Sequence, residues 1–153
     1  MIMRLLLSFA LLWLVLIQPN HPAAMTWGAL ALVPLELPAL LGALVLVGDG
    51  RAGRVLRAAL VGVLVVIALL KLADLGTFIA FSRGFNLLVD FHLLPAGWVL
   101  VQGSVGVVLA WAIALGAMLG LIATIAALWW AMGVWARLRL PVAGRAMAAI
   151  ALI

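Results

Sequence analysis

This chain lacks cysteine and tyrosine, and it carries very little charge. Of its 153 residues, 8% are charged and 70% are apolar. Without cysteine, disulfides, thiolate metal sites and cysteine nucleophiles are excluded. Soluble domains carry about 25% charged residues, so this chain has too little polar surface to cover a globule in water. The composition therefore predicts an integral membrane protein of all-α class, a polytopic transmembrane helix bundle in one domain.

Histidine is scarce as well, and the basic residues are dispersed. The formal charge of +5 does not indicate nucleic-acid binding, because arginines stand singly between apolar runs and form no basic face. His21 and His92 both fall outside the expected spans, so we expect no haem or other cofactor. Asp90 and His92 in VDFH offer too few ligands for a metal, and a wet interfacial pair is the plainer interpretation. Membrane lipids are the expected partners.

Four long apolar runs predict four membrane spans, at about 3–18, 24–47, 56–81 and 104–130. The first run could be a signal peptide, but PNHPAAM has no good small-x-small cleavage site, which favours a retained helix. The stretch 83–98 is too mixed and too short to cross, and is expected to lie in the outer interface. Gly103 and Ser104 are expected to begin the fourth helix, with Ser104 as its cap.

The apolar stretch 145–153 is interpreted as the start of a fifth span. Nine residues would rise only about 14 Å as a helix, whereas a bilayer core measures about 30 Å. We therefore expect the protein to continue beyond Ile153.

Basic residues between the runs predict the orientation of the bundle. Arg4, the loop 51–57 and the loop 137–145 would share one side of the membrane, with Arg83 alone on the other. Lys and Arg concentrate on the cytoplasmic side. The N-terminus is therefore expected in the cytoplasm.

Three ionisable residues fall inside the expected spans: Glu36, Lys71 and Asp74. Counting 1.5 Å per residue from Trp27 and from Phe81 puts Glu36 and Lys71 at depths of about 14 and 15 Å. We therefore predict a Glu36–Lys71 pair between neighbouring helices, with Asp74 on the same face as Lys71. The charge cluster has two open interpretations. A structural clasp is favoured, since the inner half of every span lacks ionisable groups, and a proton or ion relay is the alternative.

Prolines interrupt the second apolar run, and two glycines lie in the fourth. Pro34 and Pro38 each remove a backbone donor, which predicts a kink near Glu36 or, less simply, a lipid head-group site there. Gly116 and Gly120 in GAMLG predict close packing of the fourth helix against a neighbour.

Several motifs of the outer half resemble one known family. The resemblance is to the N-terminal membrane domain of bacterial sulfatase-like membrane proteins, which are similar to phosphoglycerol transferases. In that family a set of helices precedes an outward-facing catalytic domain of the alkaline phosphatase superfamily. The matching motifs are Asn20-His21-Pro22, Leu35-Glu36-Leu37-Pro38, KLADLGTF from Lys71 to Phe78, and Phe85-Asn86 followed by Asp90 and His92-Leu93-Leu94.

The resemblance implies an inner-membrane anchor of a hydrolase or transferase. The metal ligands and nucleophile of the family belong to the catalytic domain, so no catalytic, cofactor-binding or metal-binding residue is expected in this chain, and Thr77 takes no such role. Head-group contacts at the outer leaflet are expected from Arg83, Asn86, Asp90 and His92. The alternative is a small accessory or scaffold subunit packed against a larger respiratory or photosynthetic complex. A small transporter ranks third, because the ionisable groups stop at mid-depth.

Overall fold

The computed structural model describes residues 1–138, and all regular structure in that range is helical. The expected all-α fold is confirmed. Short 3-10 turns connect the helices at Pro22–Ala24, Trp27–Ala31 and Phe91–Leu93. The expected fifth span at 145–153 lies outside the described residues. The helices are α1 (Ile2–Ile17), α2 (Glu36–Val47), α3 (Arg51–Phe81), α4 (Leu87–Asp90), α5 (Leu94–Val105) and α6 (Val107–Ala136).

Between residues 1 and 138, three helical segments are long and apolar enough to cross a bilayer. They are Arg51–Phe81, Leu87–Val105 and Val107–Ala136. These segments indicate a multi-pass membrane protein. Helices α1 and α2 are shorter, with 16 and 12 residues. They rise about 24 and 18 Å, less than the roughly 30 Å of a hydrocarbon core.

Two side-chain hydrogen bonds show how the long helices lie side by side. Arg57, near the start of α3, donates from Nη2 to Trp129 O near the end of α6, at 2.7 Å. Further along α3, Leu72 lines one cleft with Ala117 from the first half of α6, so α3 and α6 are antiparallel. Lys71 lies about 21 Å along α3 from Arg57 and donates from Nζ to Leu16 O at the end of α1, at 2.9 Å. We call the end where the α2–α3 turn meets α6 the Asp49 end, and the opposite end the Asp74 end.

Helix α5 folds back on α6 at Gly106, whose φ of 83° is in the left-handed region that glycine adopts without a steric penalty. The rings of Trp98 and Trp111 meet edge to face, with centroids 5.0 Å apart. The fourth predicted span corresponds to α6, and its predicted start at Ser104 is wrong. Ser104 lies within α5 and donates from Oγ to Leu100 O at 2.8 Å. Gly106, not Ser104, separates the two helices.

The segment between α3 and α6 begins and ends on one side of the bundle. Since α3 and α6 are antiparallel and about equally long, both Phe81 and Val107 lie at the Asp74 end. Leu87–Val105 has the length of a span, but a single crossing would carry the chain to the wrong end. The expectation that this stretch is too short to cross is therefore wrong, since its helical part extends to Val105 and not to 98. Its place in the interface stays a prediction.

Helix α2 begins at Glu36, whereas a helix over 24–47 was expected. The reason is the pair of prolines. Pro38 takes the third position of α2, where a backbone N–H has no acceptor within the helix and its loss costs little. A helix starting at 24 would have held both Pro34 and Pro38 in its interior. The chain instead forms the 3-10 turn Trp27–Ala31, and Leu32 then adopts an extended conformation.

The core lies among α1, α2, α3 and α6, mostly toward the Asp49 end. Large apolar side chains elsewhere on these helices are exposed, as expected of surfaces that face hydrocarbon. The buried core cluster consists of Leu12, Leu37, Leu40, Leu44, Val61, Leu64, Leu128, Ala131 and Met132.

Candidate functional site

A cluster of charges closes the Asp49 end. Arg57 is 3% exposed and donates from Nη1 to Asp49 Oδ1 at 3.0 Å. Arg137 donates from Nε to Asp49 Oδ2 at 2.8 Å. The guanidinium of Arg57 also lies 4.2 Å from the ring centroid of Trp129. One carboxylate therefore joins the α2–α3 turn, the start of α3 and the end of α6. We call Asp49, Arg57, Trp129 and Arg137 the Asp49 cluster.

The backbone of α6 makes room for the Arg57 guanidinium at Gly133. A Cβ at Gly133 would lie 2.5 Å from Arg57 Nη2, which is closer than van der Waals contact. Arg57 then reaches the carbonyl of Trp129 one turn earlier on α6. Arg57 Nε is buried without a hydrogen-bond partner among the described residues. A buried cation of this kind is strongly destabilising if its counter-charge is removed.

The ion pairs at this end lower the pKa of Asp49. The hydrogen bond from Arg137 is the main cause that holds the pKa of Asp49 below its usual value, and the charges of Arg137 and Arg57 act in the same direction. Partial burial opposes this shift, since it disfavours the charged carboxylate. Asp49 is therefore ionised near neutral pH.

The predicted Glu36–Lys71 pair is wrong. Within the part of the chain that the structure describes, no ion pair joins these residues, and the ammonium of Lys71 meets the carbonyl of Leu16. The prediction assumed that a continuous helix ran down from Trp27, but α2 begins only at Glu36. Lys71 instead satisfies one of the last four carbonyls of α1, which have no acceptor role within that helix.

Asp74 lies one turn beyond Lys71 and faces the end of the same helix. Its Oδ1 accepts from Phe85 N at 2.8 Å, and so it holds the chain after Ser82 has reversed direction. Ser82 has a φ of 53°. The three residues of the predicted charge cluster therefore have separate environments: Glu36 at the start of α2, Lys71 against α1, and Asp74 against the loop after α3.

Three of the four predicted head-group residues form a local group. Arg83 makes a bidentate pair with Asp90, with one bond from Nη1 to Oδ2 at 3.0 Å. Asp90 Oδ2 also accepts from Asn86 N at 2.7 Å. Asn86 Oδ1 caps α4 by accepting from Leu88 N and Val89 N at 3.1 and 3.3 Å. Their contact with lipid head groups stays a prediction.

His92 stands apart from this group. Its Nδ1 lies 2.8 Å from Leu88 O, so the pairing of His92 with Asp90 is wrong, because the carboxylate of Asp90 is engaged by Arg83. His21 accepts from Ala23 N at 3.0 Å and packs its ring against Phe78, with centroids 4.0 Å apart. Within residues 1–138, no three metal-ligating side chains come together.

An apolar cleft of about 1120 Å³ opens between α1, α3, α6 and the first two 3-10 turns. Leu14, Leu69 and Met118 are typical of its lining, and Gln18 and Thr26 bring polar groups to the part nearest the Asp74 end. Gly120 lies in its wall. Among residues 1–138 no helix packs closely there: a Cβ at Gly116 or Gly120 would meet no described atom within 4 Å.

Sequence reasoning missed the Asp49 cluster. Arg57 was assigned to a polar loop, although it lies six residues inside α3 and faces α6. Two signals were present: an acid eight residues earlier, and a glycine, Gly133, near the end of the last long apolar run. Neither signal says which helix is the neighbour. Comparisons with protein families, curated proteins and solved structures found nothing that matches this chain.

Proposed function

We propose that this chain is the membrane domain of a sulfatase-like hydrolase or transferase of the bacterial inner membrane. In this proposal α1, α2 with the turn before it, α3 and α6 make four crossings, and the N-terminus is cytoplasmic. The observation that carries the proposal is the distribution of arginine. Arg51, Arg54, Arg57 and Arg137 lie at the Asp49 end, and Arg83 lies at the other.

The positive-inside rule then makes the Asp49 end cytoplasmic. Arg4 agrees, because it lies at the opposite end of α1 from Leu16, which contacts Lys71 toward the Asp74 end. The polar residues of the family motifs, from Asp74 to Asp90, fall at the Asp74 end. That is the side from which an outward-facing catalytic domain would extend. The Asp49 cluster would serve as the rigid inner closure of such an anchor.

Single cysteines test the orientation cleanly, because the natural chain contains none. We would introduce Asn20→Cys, Ala52→Cys, Asn86→Cys and Leu138→Cys separately and treat intact cells with a membrane-impermeant maleimide. The first and third variants should be labelled, and the other two only after the membrane is permeabilised. Labelling of Ala52→Cys and Leu138→Cys in intact cells would contradict the orientation.

The enzyme assignment is tested by the coding sequence after Ile153. A further span followed by a long polar domain with the metal ligands and nucleophile of the alkaline phosphatase superfamily would support it. A stop codon directly after Ile153 would contradict it.

A second candidate function is an accessory subunit of a larger membrane complex. The observation that favours it is the open face at Gly116 and Gly120, where small residues would let a helix of another protein approach closely. Co-purification with a large cytochrome or pigment complex, lost on Gly116→Leu, would select this function over the anchor.

A further inference from the structure

The chain is non-helical at a depth where a membrane protein is expected to be helical. From Val47, at the Asp49 end, to Glu36, the rise along α2 is about 16 Å. A second count agrees. Trp13 donates from Nε1 to Leu32 O at 2.9 Å. Along α1, Trp13 lies about 4.5 Å before Leu16. Leu16 is level with Lys71, which lies about 21 Å along α3 from Arg57. Residues 32–36 therefore lie near the middle of a core about 30 Å thick.

Three polar groups in this stretch have no hydrogen-bond partner among residues 1–138. The amides of Val33 and Leu35 form no hydrogen bond in the described part of the chain, and neither does the carboxylate of Glu36. All three residues are exposed, with Leu35 at 88%. We call residues 32–36 the break surface.

Hydrocarbon cannot cover the break surface. Each unsatisfied backbone group costs several kcal/mol in lipid, and irregular backbone at this depth occurs only where it is buried in protein or lines a water-filled cavity. An ionisable side chain at mid-depth adds a further cost and faces protein or water for the same reason. The apolar cleft does not solve the problem, because its lining includes none of residues 32–36.

The break surface carries both the hydrogen-bond donors and the acceptor that the same surface of a second copy would need. It presents two backbone donors, from Val33 and Leu35, beside one strong acceptor, Glu36. In a two-fold arrangement the same patch meets itself, so donors of one copy face the acceptor of the other. A lipid tail offers neither donor nor acceptor, and a plain apolar helix of another protein has its backbone groups already bonded.

We propose that a second copy of this chain packs on the break surface about a two-fold axis, with the Glu36 carboxylate of each copy accepting hydrogen bonds from the Val33 and Leu35 amides of the other. This dimer rests on the proposed four crossings, which the Ala52→Cys labelling tests separately. A failure of the dimer with correct labelling of Ala52→Cys would therefore leave the orientation intact.

Leu35→Cys in the full chain tests the proposal directly. Residue 35 would lie beside its counterpart, so mild oxidation in membranes should give a disulfide-linked dimer, and an impermeant thiol reagent should react slowly. Leu119→Cys is the matched control. It is exposed, at 56%, and lies about 15 Å along α6 from Trp129, so its depth is similar but its position is off the break surface. It should give no dimer.

Glu36→Ala in the Leu35→Cys background tests the hydrogen bonds. Each dimer loses two acceptors and with them four hydrogen bonds, and so its dissociation constant in detergent should rise about sixtyfold, the factor that four ordinary intramembrane hydrogen bonds supply. Unchanged helicity by circular dichroism would show that the variant still folds. Rapid reaction of Leu35→Cys with the impermeant reagent, and no dimer, would mean a water-filled crevice. Protection without a dimer would mean a different protein. Either result overturns the proposal.

Discussion

The two ends of this bundle use charge in different ways. At the Asp49 end, the bond from Arg57 to Trp129 joins residues 72 apart in sequence, and that from Arg137 to Asp49 joins residues 88 apart. At the Asp74 end, Arg83 and Asp90 are 7 apart, and Asp74 reaches Phe85 only 11 residues on. The first set ties distant helices together, and the second shapes one loop.

Burial of the arginines differs in the same direction. Arg57 is 3% exposed beside Asp49 at 32%, whereas Arg83 is 42% exposed beside Asp90 at 7%. A buried cation has lost its hydration, so its counter-charge cannot be replaced by water, while the exposed Arg83 exchanges its partner for solvent at little cost. The Arg57–Asp49 pair should therefore govern the stability of the bundle, and the Arg83–Asp90 pair should govern the shape of the loop.

The largest expected effect comes from Asp49→Asn. It leaves Arg57 buried without a counter-charge, and we expect the free energy of unfolding to fall by about 3 kcal/mol. The measurement is denaturant unfolding in a fixed detergent. Asp90→Asn is the matched change at the other end and should cost clearly less. Equal losses at the two ends would remove the distinction between them.

Gly133→Ala should have an intermediate effect. The added Cβ would meet the Arg57 guanidinium at 2.5 Å, and such overpacking costs about 1–3 kcal/mol. Gly116→Ala on the same helix is the control. Its Cβ meets nothing within 4 Å, and alanine favours a helix over glycine by about 1 kcal/mol, so its stability should be unchanged or higher. The same unfolding assay compares the two, and a loss in both would point to a helix effect unrelated to Arg57.

The smallest effect is a dependence of stability on pH. Because Arg137 and Arg57 lower the pKa of Asp49 in the folded protein, its contribution is fully present above the unfolded pKa of about 3.9. That contribution is lost as the pH falls through the lower folded value. The measurement is the difference in unfolding free energy between the natural chain and Asp49→Asn, which should shrink below about pH 4. A difference that stays constant down to pH 2 would show that the Asp49 carboxylate is not the titrating group.

Much of the architecture could be predicted from local composition. The apolar runs led to α1, α3 and α6 within a few residues at most ends, since a long apolar run has few alternatives to a helix in a membrane protein. The stretch after Phe81 was separated from the spans because Arg83, Asn86 and Asp90 make it polar, but its helical part Leu87–Val105 is long and apolar enough to cross a bilayer. The start of α2 depends on Pro38 in its first turn, and the start of α6 depends on Gly106 before it. The start of α3 at Arg51 and the end of α6 at Ala136 also lie five and six residues outside the predicted bounds.

The pairing of charges was less predictable. Depth counting placed Glu36 opposite Lys71, but that counting assumed an unbroken helix from Trp27. Lys71 contacts α1, and Arg57 contacts α6, and nothing in either local sequence names those neighbours. The Asp74–Phe85 and Arg83–Asp90 contacts also escaped prediction, although they are local, because the reversal at Ser82 has no strong turn signal.

By itself the sequence determined the membrane class, the helical state of the apolar runs and the asymmetry of arginine, because each follows from the transfer of residues between water and hydrocarbon. Only the tertiary structure decided that Asp49 joins Arg57 and Arg137, that Gly133 makes room for a guanidinium, and that Glu36 pairs with no cation among residues 1–138. These outcomes depend on which helices are neighbours and at what height. Contact with lipid tails does not favour one arrangement of neighbouring helices over another. Packing and the hydrogen bonding of a few polar groups therefore decide the arrangement.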